Sequence, residues 1–195
     1  MRVLVPLLTL LFITACRSEY HQTVERELAS GELHNDMFLG LELGMSRDSF
    51  FTKCFRLNKQ GVIHQGLQNN TAEWPLPIAE TGHPARMNFY PDFIDNKIYR
   101  MPVTFRYDNW APWNKDVAVD SAVVDVVELL ERWHGPGFIH IGDDERGHGW
   151  VKVDGNRRIL VTRKDIQQVK VVYQDLLVEA PERPAPTAKF PGYAQ

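Results

Sequence analysis

The chain has 195 residues, 44% of them hydrophobic and 24% charged, which is enough to bury one sizeable core. Its formal net charge of −3 gives neither the basic footprint of a nucleic-acid binder nor an acidic tail. Only two cysteines are present, Cys16 and Cys54, which excludes a disulfide-stapled scaffold.

The first fifteen residues differ from the rest. Met1 and Arg2 give a positive start, Val3 to Ile13 is apolar apart from Pro6 and Thr9, and Thr14 and Ala15 are small. This is the pattern of a secretory signal (1–15), too short to span a bilayer as a helix. Its end, Ile13-Thr14-Ala15-Cys16, resembles the lipobox of bacterial lipoproteins. The resemblance implies cleavage between Ala15 and Cys16, a lipid on the Cys16 thiol and an acylated new amino terminus, and such double attachment holds a protein stably on a membrane. It places the protein in the cell envelope, facing periplasm or cell surface. Arg17 stands where inner-membrane lipoproteins of enteric bacteria carry Asp, which favours the outer membrane.

Residues 16–36 read as a lipidated N-terminus and tether, with Tyr20, Val24 and Leu28 at helical spacing. A first unit follows over 37–107. Phe38 to Leu43 reads as a short strand. Ser46 offers a helix N-cap, and Phe50, Phe51, Cys54, Phe55 and Leu57 form the apolar face of the helix that Gly61 ends. Cys54, among phenylalanines, reads as a small buried hydrophobe rather than a nucleophile. Strands are expected at Val62–His64, Ala72–Leu76, Ala85–Tyr90 and Ile98–Tyr107. The last alternates apolar and polar residues, so the sheet is antiparallel and wet on one side. Pro102 lacks an N–H and places that strand at an edge or on a bulge.

A linker, 108–118, carries Trp110 and Trp113. They are expected either in a seam between two units or as anchors of a binding surface, and the seam is favoured because paired units need something to fix their relative position. The second unit, 119–178, opens with a helix from Val119 to Trp133 whose Ala122, Val123, Val126, Val127, Leu130 and Trp133 share a face. Strands follow at Phe138–Ile141, Trp150–Val153, Arg158–Thr162 and Val169–Leu176, with a turn at Asp154–Asn156. The Pro-rich end, 179–195, is expected to be disordered.

The windows Gly61–Gly66 (GVIHQG) and Gly137–Gly142 (GFIHIG) match at four of six positions, and Trp74 and Trp150 recur at the same spacing. Each window lies where a helix gives way to a strand. The expected fold is α+β: two similar helix-plus-antiparallel-sheet units, helix then about four strands, twice, forming one compact body. Helix plus antiparallel sheet, twice, on an exported protein looks like the beta-lactamase-inhibitor-protein-like fold. The stretch Leu41–Phe51, with Gly44, Met45 and Ser46, is similar to the Gly-Met-Thr entry into the first helix of outer-membrane-assembly lipoproteins of the SmpA/BamE type, with Ser46 for Thr. Both resemblances imply function by protein contact.

No residue is assigned to catalysis, metal or cofactor. His64 and His140 lack the further ligands that zinc requires, and read as strand histidines. Asp143, Asp144, Glu145 and His148 gather in one loop, but without EF-hand alternation they read as a solvated hairpin tip. The expected function is non-enzymatic: a lipid-anchored envelope protein that binds another protein or an envelope component. The rivals are an envelope-polymer hydrolase with its site between the units, and an inhibitor of an exported enzyme. An enzyme would gather acids or histidines in one cleft with shifted pKa values; a binding module would expose an aromatic patch or a free strand edge.

Overall fold

A helix, α1 (Glu19–Ser30), precedes the body in the computed structural model, which describes residues 19–66, 71–111, 113–143 and 147–178. Helix α2 (Arg47–Lys59) starts where Ser46 accepts a hydrogen bond from the Ser49 amide at 3.2 Å, with Asp48 at its positive end and Arg56 and Lys59 at its negative end. Then come β1 (His64–Gln65), β2 (Ala72–Leu76), the short α3 (Ile78–Thr81), β3 (Ala85–Phe89), β4 (Asp92–Ile94) and β5 (Lys97–Tyr107). A 3₁₀ turn at Lys115–Val117, capped by Asn114, leads into α4 (Val119–His134). The chain closes with β6 (Ile139–Asp143), β7 (Gly147–Asp154), β8 (Arg157–Arg163) and β9 (Gln168–Asp175).

The nine strands form one antiparallel sheet in the order β1-β2-β3-β5-β9-β8-β7-β6, with β4 beside β5. Strands β5 and β9 meet at its centre, Val103 opposite Val171. Residues directly opposite share a face. Met87, Phe105, Val169, Val171, Tyr173, Ile159 and Val161 therefore form one apolar face, against which α4 lays Ala122, Val126, Leu129 and Leu130. The other face carries Arg86, Asn88, Thr104 and Arg106 on β3 and β5, where it stays wet as the alternation in β5 dictates, whereas on β7 and β9 it carries Val151, Val153 and Val172, which are buried. One continuous core crosses from Phe50 and Phe89 to Val126 and Ile159. The fold is thus mixed α+β, with four helices among the described residues.

Three expectations change. Phe38–Leu43 is a tight turn rather than a strand: Leu39 and Gly40 take φ of 54° and 68°, and the Met37 amide bonds to Leu41 O at 3.0 Å. The turn drives Met37, Phe38, Leu41 and Leu43 into the core together, which an extended strand cannot do. Pro102 lies in a central strand and not at an edge. On its β3/β4 side the ladder breaks there, since β3 ends opposite Val103 and β4 begins opposite Arg100. That gap accommodates a residue with no N–H. The stretch expected as a tether contains α1, which docks on the β7–β8 hairpin: Arg158 Nη1 donates to Tyr20 Oη at 2.9 Å, and the Gly155 amide to Glu27 Oε2 at 3.2 Å.

Candidate functional site

Arg157 on β8 is 3% exposed and stands at the centre of a polar cluster. Its Nη1 donates to Asp36 Oδ2 at 2.8 Å and to Asp36 O at 2.7 Å; its Nη2 donates to Asp154 Oδ2 at 2.8 Å, and Asp154 also pairs with Lys152. His134, the last residue of α4, brings a side chain 1% exposed, with Nε2 3.1 Å from Tyr173 Oη. Its Nδ1 lies 3.3 Å from Asp36 Oδ2 but makes no aligned hydrogen bond. Burial, then the Arg157 charge, push the imidazole pKa down to about 4, so the contact with Asp36 is not an ion pair near neutral pH. Burial works to raise the Asp36 and Asp154 carboxyls, but Arg157 outweighs it at Asp36, and Lys152 and Arg157 outweigh it at Asp154. Both end below the usual carboxylate range. Burial holds the Tyr173 hydroxyl protonated.

This cluster pins the segment after α1 to the sheet. Beside it the His34 amide donates to Asn156 Oδ1 at 2.7 Å, and Asn156 Nδ2 donates to Asn35 Oδ1 at 3.1 Å. Among the described residues Arg157 Nε and His134 Nδ1 stay buried without a hydrogen-bond partner, and His134 Nε2 faces a fully buried tyrosine. A pH dependence follows. The His134 pKa is lower folded than unfolded, so the unfolded chain binds the proton first. The stability His134 contributes is complete above about pH 6.5 and drains away as pH falls to about 4, by on the order of 2–3 kcal/mol. Urea unfolding at several pH values should show this loss, flattened over that window in His134→Gln. A profile identical in the variant would contradict it.

The second feature is aromatic. Phe50, Cys54 and Leu57 on α2 lie within about 60° of one another around the helix axis, and they form its inward stripe. Phe51 and Phe55 belong to the neighbouring stripe, one turn apart, and stand 47% and 72% exposed. The expectation that they share the core face is therefore wrong, because the sheet meets a stripe too narrow to take them. Cys54 is half-buried, and burial pushes its thiol up to about 11, so it stays protonated. Trp113 is 84% exposed and Trp110 half-buried, so Trp113 builds no seam.

His64 lies on the wet face opposite Glu73, whereas His140 lies on the other face opposite Trp150, so the two windows differ in register by one residue. His140 meets His148 across the β6–β7 hairpin, with His140 Nε2 3.1 Å from His148 Nδ1. The sequence hides this pair because it depends on the hairpin register. Among the described residues no group of three or more His, Cys, Asp or Glu converges as metal ligands, and no helix is long and apolar enough to cross a membrane. Ala15, Cys16, Asp144, Glu145 and the tail 179–195 lie outside the described residues.

Open hollows among the described residues include two on the surface. One, of about 270 Å³, lies on the wet sheet face between Asn88, Thr104, Arg106 and Gln168; the other, of about 340 Å³, lies between α1 and β7 beside Lys152. No family model, curated protein or solved structure matches this chain.

Proposed function

We propose that this protein is a bacterial lipoprotein, anchored through Cys16 in the cell envelope, which works by binding another protein or an envelope component. The observation that carries the contact reading is the pair Phe51 and Phe55, large apolar rings held in water on a helix whose other stripe is anchored in the core. Exposed aromatics on a rigid element are what a recognition surface presents. Trp113 adds a further exposed ring, and with Trp110 stands as a secondary contact. The rival readings are a hydrolase and an inhibitor of an exported enzyme. A hydrolase would use the Asp36–His134 pair, and Tyr173 already occupies the nitrogen it would need free. An inhibitor is a special case of the contact reading.

The chain further reads as two fused copies of one unit, α2 with β1, β2, β3 and β5, and α4 with β6 to β9. In support, each helix precedes a meander whose last strand lies at the sheet centre. The outer membrane is the favoured site of that anchor.

The anchor is tested by labelling with radioactive palmitate. The wild-type chain takes up label and loses its first fifteen residues, and Cys16→Ser does neither. Uptake unchanged in Cys16→Ser would remove the anchor, and with it the envelope reading.

A further inference from the structure

We infer that the β6–β7 hairpin carries a surface site for an imidazole-seeking divalent transition metal, Cu²⁺ above Ni²⁺ above Zn²⁺, with His140 Nε2 and His148 Nδ1 as its two protein ligands. The hairpin register places Gly142 opposite His148 and Trp150 opposite His140, so the two imidazoles occupy diagonal positions on one face of adjacent strands. Their rings lie 28° from parallel with centroids 5.0 Å apart, and the facing nitrogens are 3.1 Å apart. Two nitrogens bound cis at about 2.1 Å and about 90° stand about 3.0 Å apart, so the pair is spaced for square-planar or octahedral coordination. A tetrahedral site would need them slightly wider. In the metal-free pair one ring donates N–H to the other. On binding, that ring takes its other tautomer, and both facing lone pairs turn to the ion.

The frame is stiff. Gly142 has φ of 94°, and a Cβ there would fall 2.0 Å from Gly147 O, so glycine is required for the strands to close as they do. The Trp150 ring packs edge-on against the His140 ring, with centroids 5.2 Å apart, and backs it on the side of the strand where His148 stands. Both histidines are exposed, so an ion reaches them without opening the fold, and two imidazole nitrogens leave further coordination positions open to other donors. The two imidazole nitrogens offer carboxylate-seeking Ca²⁺ and Mg²⁺ no oxygen donor.

The test titrates the full chain, in detergent and without a polyhistidine tag, with Cu²⁺ and Ni²⁺ by calorimetry, and follows tryptophan emission, which Cu²⁺ bound beside Trp150 quenches. The expected result is one ion per chain, the order Cu²⁺ > Ni²⁺ > Zn²⁺, and no response to Ca²⁺. His140→Ala and His148→Ala should each weaken binding at least about tenfold, the size of loss that disturbing a metal's supporting shell already produces. His64→Ala, an exposed histidine on the far edge strand, should leave it unchanged. Melting curves without metal should overlay for all three variants, since each site is exposed. Affinity unchanged in both hairpin variants, or lowered equally by His64→Ala, would overturn the site.

Discussion

Arg157→Ala should lose about 3 kcal/mol of stability, the low end of what removing one partner from a buried ion pair costs. The full range does not apply, because the Asp36 carboxylate is 67% exposed and recovers water, and Asp154 keeps Lys152. What cannot be recovered is the span of one planar guanidinium that joins Asp36, its carbonyl and Asp154. Arg157→Lys keeps the charge but offers one nitrogen to two carboxylates, and should fall between wild type and Ala. Because this node ties the segment after α1 to the sheet, protease cleavage near His34 should speed up in parallel. Urea unfolding measures the first effect, and a midpoint unchanged in Arg157→Ala would show that the node contributes nothing net.

Phe38→Ala should cost about 3–5 kcal/mol. Phe38 is 6% exposed, and its ring lies 5.0 Å from that of Phe89, 5.8 Å from Tyr173, 6.2 Å from Trp74 and 6.5 Å from Trp133. It joins the first sheet strands, α4 and β9 in one place, so the cavity it leaves is walled by rigid rings that cannot collapse into it. Phe55→Ala removes the same atoms from a position 72% exposed and should change stability by less than about 0.5 kcal/mol. The contrast between two phenylalanines, read from denaturant midpoints, checks the division between core and contact surface. Equal losses would mean that α2 packs differently.

Strands β2, β3, β5 and β7 to β9 were legible because period-two alternation and turn residues act over a few neighbours; Asp95 and Asn96, for instance, take the positive φ that the β4–β5 turn demands. Helix α4 was legible from its single wide stripe. On α2 the apolar residues cover two adjacent stripes, and sequence alone does not say which one the sheet takes. The Phe38 turn was lost because its φ values are set by where four side chains must go. The Arg157 node was invisible for a different reason: Asp36, His134, Asp154 and Tyr173 come from four separate segments, and no spacing rule connects them. The His140–His148 pair needed a hairpin register that periodicity does not fix.

The central claim is that this protein acts from the envelope by contact through the outer stripe of α2. Site-specific photo-crosslinking in cells tests it most directly, with a benzophenone side chain placed at Phe51, at Phe55 and, as an exposed control on α4, at Glu128. The account predicts a discrete adduct of one size from positions 51 and 55, competed away by unmodified protein, and none from 128. Adducts from none of these positions, or the same adducts from 128, would contradict it.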